Sequence, residues 1–259
     1  MRKRVALAVL ASVLCLQGVP TAAQPADELR ELRKDVDALR ESHKALESEL
    51  QAIKQQLRRP QATRPAPQET LAEPVTLTLD GAPTLGTAGA RLALVEFSDY
   101  QCPFCARHVR QTKPQIVKEY VETGKLQYVL RDLPIASIHP GAPKAHEAAH
   151  CAGEHGKYWA MHDRLFSNPH AQGAEELSSQ ARALGLDPAQ FEQCLASARH
   201  AARVQEGVEA AQSAGVRATP TFFLGVVDGG TVKATRVIRG ALPYPVFKAA
   251  LDELLESLK

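Results

Sequence analysis

Two cysteines two residues apart, in Cys102-Pro103-Phe104-Cys105, are the groups of this chain best suited to covalent chemistry. Disulfide exchange is the attack of a thiolate on a disulfide sulfur, so a cysteine becomes a catalyst where its thiolate is favoured. The pair falls where a nearly continuous apolar run, Leu92 to Phe97, gives way to a helix expected from about Pro103 to Glu122. Unpaired N–H groups and the macrodipole at a helix N-terminus stabilise a charged sulfur. Such settings lower a cysteine pKa from roughly 8.5 by one to several units. Cys102, at the helix mouth, is expected to be the exposed attacking sulfur. Cys105, one turn deeper on the same face, is placed to close the ring or resolve a mixed disulfide. Pro103 has no N–H to leave unpaired and presets φ for the first turn. This chemistry calls for no cofactor and no metal.

Three other constellations compete. Cys102 and Cys105 with His108 have zinc-like spacing, but no second ligand cluster accompanies them. His146-Glu147-Ala148-Ala149-His150 is a formal HExxH, which on a helix puts two imidazoles on one face with Glu147 as a metalloprotease base. Gly153 and His155 follow, His155 one residue too early for an extended zinc motif. These histidines read better as solvated helix residues, and His108, His139 and His162 receive no role. Cys151 and Cys194 read as a disulfide stapling two helices. A second redox pair is the sharper alternative, which the lack of a CxxC partner at either cysteine disfavours.

The remaining sequence says where this chemistry takes place. Met1-Arg2-Lys3-Arg4, the apolar run Val5 to Leu16 and the small residues Thr21-Ala22-Ala23 are the three parts of a secretory signal peptide over 1–23. The apolar run is too short to cross a bilayer comfortably. Cys15 follows Leu14 rather than a small residue, which argues against a lipoprotein. Removing 1–23 takes Lys and Arg from 31 to 28 against 29 acidic residues, so the mature net charge is about −1 and no nucleic-acid partner is expected. It also leaves four of five cysteines, an even number in an oxidising compartment.

Between signal and domain lies a separate module. Leu29, Leu32, Val36, Leu39, Leu46, Leu50, Ile53 and Leu57 repeat at alternating spacings of three and four within 26–58, with His43 in the one missing place. That is a heptad register, and a helix over 29–57 would be about 43 Å long. Its narrow apolar stripe suits another copy of itself, giving a homo-oligomer through residues 29–57. A helix folded back on its own domain is the alternative. Residues 59–74, with four prolines, read as a semi-extended linker. From 75 to 259 strands and helices alternate: strands at Val75–Leu79, Leu92–Phe97, Leu126–Arg131, Pro220–Leu224 and Val232–Ile238, a helical stretch over about 141–213, and a final helix from Tyr244 to Leu258. The expected class is α/β, a sheet domain with a helical insertion, preceded by a coiled-coil helix.

At this point the chain resembles the thioredoxin superfamily, and within it the DsbA-like branch. The likeness spans about 75–256. It is carried by Val95-Glu96-Phe97-Ser98-Asp99-Tyr100-Gln101 leading into CPFC, by Gly156-Lys157-Tyr158-Trp159-Ala160-Met161-His162-Asp163, and by Ala218-Thr219-Pro220-Thr221. The resemblance implies a thioredoxin-like fold in which Pro220 is a cis-proline, preceded by Thr219, lying against the CxxC pair. It also implies that Glu96, six residues before Cys102, is a buried acid able to take a proton from Cys105. The residue after Pro103 departs from the Pro-His dipeptide of that branch. A phenyl ring cannot donate a hydrogen bond to a thiolate, so Phe104 points to a milder oxidant.

The expectation is a periplasmic thiol–disulfide oxidoreductase. Its substrates would be unfolded or misoxidised exported proteins, served by a membrane redox partner. As an oxidase it would pass on the Cys102–Cys105 disulfide; as an isomerase it would keep Cys102 reduced, a role the self-associating helix favours. A non-catalytic chaperone module on the same fold and an HExxH zinc metalloprotease are the alternatives.

Overall fold

A computed structural model describes residues 24–58 and 69–259. The expected signal peptide and residues 59–68 of the expected linker lie outside the described residues. The chain divides into two units, residues 1–63 and 64–259. Within the first, α1 (Gln24–Arg58) is one helix. Its seam residues Leu29, Leu32, Val36, Leu39, Leu46 and Leu50 stand exposed, and Lys34–Glu31 and Lys44–Glu41 ion pairs link successive turns of its polar surface.

The second unit is built on a six-stranded sheet of order β1-β6-β5-β3-β4-β2. The strands are β1 (Glu69–Thr78), β2 (Thr84–Leu85), β3 (Leu92–Ser98), β4 (Leu126–Asp132), β5 (Thr221–Asp228) and β6 (Thr231–Arg239). Only β3 and β4 pair in parallel; every other neighbour is antiparallel. All seven residues of β3 are buried, as are all seven of β4, because helices cover both faces. Alternation sorts the side chains of β3. Ala93, Val95 and Phe97 pack with Ala211, Phe223 and Val237, while Leu92 and Leu94 pack with Ile116, Tyr128, Phe222 and Phe247. Glu96 shares the parity of Leu92 and Leu94, so a carboxylate is carried into an apolar layer.

β1 begins at Glu69, so residues 69–74, assigned to the linker from their composition, are in a strand. Their pairing with β6 jumps between Thr70 and Val75. Pro74, which has no N–H for a ladder, sits in that irregularity at the sheet edge.

The helix after the CPFC motif is broken. α2 (Pro103–Gln111) gives way at Thr112 to α3 (Lys113–Ile116) and a π-helical turn over Val117–Val121. Pro114 cannot donate to the carbonyl of Arg110, which accounts for the interruption. Five helices follow between β4 and β5: α4 (Ala142–Gly153), α5 (Tyr158–Ser167), α6 (Ala174–Ala183), α7 (Pro188–Ser197) and α8 (Ala201–Ser213). Asp187 caps α7 by accepting from Gln190 N at 2.9 Å, with Pro188 in the first turn. The break between α7 and α8 falls at Ala198, with φ 50°, which no glycine or proline announced. α8 lies on the end of β4 through Gly207, where an added Cβ would stand 2.4 Å from the Asp132 carbonyl oxygen. The helix α9 (Tyr244–Ser257) closes the domain.

Candidate active site

The turn from β3 into α2 is held by Asp99. Its Oδ1 accepts from Gln101 N at 2.8 Å, and its Oδ2 accepts from Ile135 N at 2.7 Å and meets His139 Nδ1 at 2.9 Å. Cys102 N donates to Asp99 O at 3.1 Å. Cys102 thereby becomes the N-cap of α2, with Pro103 in the first turn. Both cysteines of the pair are free thiols.

Cys102 is only 4% exposed and Cys105 is sealed. The outer sulfur is less open than the sequence suggests, because the Thr219–Pro220 loop packs on it. The Thr219–Pro220 peptide is cis, and Cys102 Sγ lies 3.5 Å from the Thr219 carbonyl oxygen. Thr219 Oγ1 is buried without a hydrogen-bond partner. Phe104 is 53% exposed. The Arg107 guanidinium sits 5.2 Å from its ring centre and also donates to Ala241 O at 3.1 Å.

The two sulfurs differ in acidity. Cys102 is pulled down to about 5, first by hydrogen bonding from the Cys105 thiol, against the opposing effect of burial, with Thr219 and the backbone N–H groups of Cys105 and Phe104 adding to it. None of this comes from the phenyl ring of Phe104. Phe104 acts on the sulfur through its backbone N–H, a donor that its side chain cannot supply. Cys105 is pushed well up by burial, then by Cys102 and Glu96. A ready thiolate at Cys102 and a protonated, buried thiol at Cys105 are the two roles that exchange requires.

Glu96 is fully buried. Its Oε1 accepts from Ser98 Oγ at 2.8 Å, and its Oε2 accepts a short bond from the Tyr128 hydroxyl. Burial raises its pKa, and the Tyr128 and Ser98 hydroxyls only partly offset that. Tyr128 is brought there by the parallel register of β3 on β4, which pairs it with Leu94. Lys113, nearly buried, lies over the rings of Trp159 at 4.5 Å and Tyr128 at 5.7 Å. Its Nζ is 3.3 Å from His162 Nδ1 and 3.7 Å from Asp163, and burial lowers its pKa. Tyr128 and Lys113 carry no sequence signal of their own and arrive through strand register and the break at Thr112, while Asp99 was read only as part of the motif leading into CPFC.

The HExxH residues are not solvated. His146, Glu147 and His150 are all buried. His146 Nδ1 donates to Asp132 Oδ1 at 2.5 Å and His150 Nε2 to Asp132 Oδ2 at 2.7 Å, so the pair clamps one carboxylate at the end of β4. Glu147 pairs with Lys144 at 3.0 Å. A metalloprotease reading has its imidazoles committed to Asp132 through different ring nitrogens. Cys151 and Cys194 are joined in a disulfide between α4 and α7. Among the described residues they form, with His200, one cluster of metal-ligating type, but its sulfurs are bonded to each other.

Residues 78–235 match the family model described as thioredoxin. The chain is 37% identical over 139 residues to the Na(+)/H(+) antiporter NhaA 3 of Salinispora tropica, a match covering 54% of this chain and 21% of that protein. It is 35% identical over 155 residues to the NhaA antiporter of Herminiimonas arsenicoxydans, covering 58% and 24%. The chain thus spans about a quarter or less of these curated relatives, and no helix among the described residues is long and apolar enough to cross a membrane. Among solved structures it is similar to oxidised BdbD of Bacillus subtilis (22% identity, TM-score 0.61, 71% of this chain and 96% of that one). It is likewise similar to α-DsbA1 of Wolbachia pipientis (22%, 0.62, 71% and 97%). A thioredoxin-like oxidoreductase of Silicibacter pomeroyi also matches (26%, 0.55, 68% and 92%). With a cysteine pair at the mouth of α2, a cis-proline against it and a matching family model over most of the domain, the chain belongs to the thioredoxin family and has the fold of its DsbA-like members.

Proposed function

We propose that this protein is an exported thiol–disulfide oxidoreductase that forms or isomerises disulfides in exported proteins through Cys102 and Cys105. The observation that carries the reading is the unequal pair: a thiolate-forming Cys102 at the N-cap of α2 and a buried, high-pKa Cys105 beside Glu96. In the oxidising direction a substrate thiolate attacks Cys102 of the Cys102–Cys105 disulfide. The Cys105 sulfur leaves and takes a proton. A second substrate thiolate then attacks the mixed disulfide, releasing an oxidised substrate and the Cys102 thiolate, a good leaving group because of its low pKa. A membrane redox partner would reoxidise the dithiol. In isomerisation the Cys102 thiolate attacks a wrong substrate disulfide and is later displaced by another substrate thiol, with no net electron transfer.

The exposed heptad residues of α1, unpaired along a narrow seam, support self-association through residues 29–57 and the isomerase role. The signal-like residues 1–23 support periplasmic placement. The Cys151–Cys194 disulfide, buried between two helices and far in sequence from any third cysteine, supports a structural staple.

Refolding of a scrambled, disulfide-containing protein tests the reading. Cys102→Ser should abolish catalysis of both oxidation and reshuffling. Unchanged refolding by that variant would instead mean a binding module without turnover. A monomer by equilibrium sedimentation would remove the isomerase preference.

A further inference from the structure

His108 stands three residues after Cys105 and is 1% exposed. Its ring packs at 4.4 Å from Phe222 and 5.2 Å from Phe247. Its Nε2 lies 3.0 Å from the Tyr128 hydroxyl, and its Nδ1 is buried with no partner. A hydrogen inventory orders this chain of contacts. Tyr128 has one hydroxyl hydrogen, and an ionised Glu96 has none to give. The Tyr128 hydrogen therefore goes to Glu96, so the hydrogen bond between His108 and Tyr128 must be donated by His108 Nε2–H. That tautomer leaves Nδ1 as a bare acceptor in an apolar pocket, a costly arrangement. A leucine or phenylalanine there would remove the cost.

We propose that His108 is a positioning residue for proton transfer in the exchange reaction: by donating to Tyr128 it strengthens the Tyr128 hydrogen bond to Glu96 and holds that carboxylate ionised to receive the Cys105 proton. The inference rests on the oxidoreductase reading. In the step concerned, the Cys105 S–H proton passes to Glu96 as the Cys105 sulfur attacks Cys102 in a mixed disulfide. The Cys102–Cys105 bond forms, the bond from Cys102 to the substrate sulfur breaks, and the substrate leaves as a reduced thiolate.

Several other groups face this chain. Cys102 caps α2 and His108 lies on it, Lys113 comes from α3, and His162 and Asp163 from α5, with the Lys113 charge favouring the ionised form of Glu96. The Tyr100 and Tyr158 hydroxyls, 3.3 Å apart, stay protonated because burial raises both. Burial, Lys113 and His162 also bring His108 down to about 3, so it remains a neutral donor across the working range. Hydrogen bonds in series polarise one another, so removing the His108 donor weakens the bond at Glu96 and raises its proton affinity.

The test is the reaction of the reduced full chain with an aromatic disulfide that releases a coloured thiol, followed over pH. The first thiol released reports attack by Cys102 and the second reports resolution by Cys105. His108→Phe should leave the first phase alone and move the pH midpoint of the second up by about half a unit, roughly threefold in rate below the midpoint. Its thermal midpoint should be unchanged or higher. His108→Gln, whose amide can donate to Tyr128, should restore the wild-type profile. A second phase that superimposes on wild type in His108→Phe, or one shifted equally in both variants, overturns the proposal. A wild-type protein that releases no thiol in the first phase overturns the oxidoreductase reading itself.

Discussion

Two buried carboxylates lie within one sheet, Glu96 in β3 and Asp132 at the end of β4, and they behave in opposite ways. Both are almost fully removed from water, so burial pushes both towards the protonated form. Glu96 meets hydroxyls, from Ser98 and Tyr128, and its pKa stays raised. Asp132 meets two imidazoles, and His146 and His150 outweigh burial and hold it below the usual carboxylate range. The partners, not the depth, decide the outcome. A carboxylate held by hydroxyls keeps a raised pKa, the setting that the proposed proton transfer from Cys105 needs. One clamped by two histidines is a fixed charge that ties α4 to the sheet.

Substitution at each site should separate these roles. Asp132→Asn removes the charge from a buried clamp and should cost about 3 kcal/mol of unfolding free energy, read from the denaturant midpoint. Its thiol–disulfide exchange rate should stay within a factor of two of wild type. Glu96→Gln should do the reverse: about tenfold slower resolution by Cys105, with stability unchanged or raised, because a buried acid is replaced by a neutral amide. If Asp132→Asn slowed exchange while leaving stability intact, the comparison would fail.

The pH dependence of stability should split the same way. Asp132, with its pKa depressed on folding, contributes stability that is present above about 3.9 and lost as pH falls below it. Glu96, with its pKa raised, contributes stability that is complete below about 4.3 and lost as pH rises through its folded value. Denaturant midpoints across pH should show the acid limb flattened in Asp132→Asn and the limb on the neutral side flattened in Glu96→Gln, the second being the smaller effect.

The contrast also marks how far the sequence could be read. The place of the CPFC pair was legible from local spacing, at a strand end and a helix mouth, while a cis Pro220 and a buried Glu96 were expected only from the family resemblance. The strand and helix order of the domain followed from apolar runs and breakers, except for the two-residue β2 at Thr84–Leu85, too short to leave a pattern. What surrounds Glu96 did not, because Tyr128 and Lys113 reach it through the parallel pairing of β3 with β4 and the break at Thr112. His108 looked like one more polar helix residue for the same reason. His146 and His150 were assigned to solvent because helical periodicity does not reveal which face of α4 rests on Asp132. The strand at Glu69–Pro74 was hidden by the proline-rich composition around it, and Pro74 sits at an irregular sheet edge where no N–H is needed.

The central claim is that Cys102 is a thiolate at neutral pH because of where the fold places it. Alkylation of the reduced protein by iodoacetamide, followed as a function of pH with the modified cysteine identified by mass spectrometry, measures this directly. The account predicts reaction at Cys102 alone, with a midpoint at about 5. A midpoint near 8.5, the value of an ordinary thiol, or equal labelling of Cys105, would contradict it.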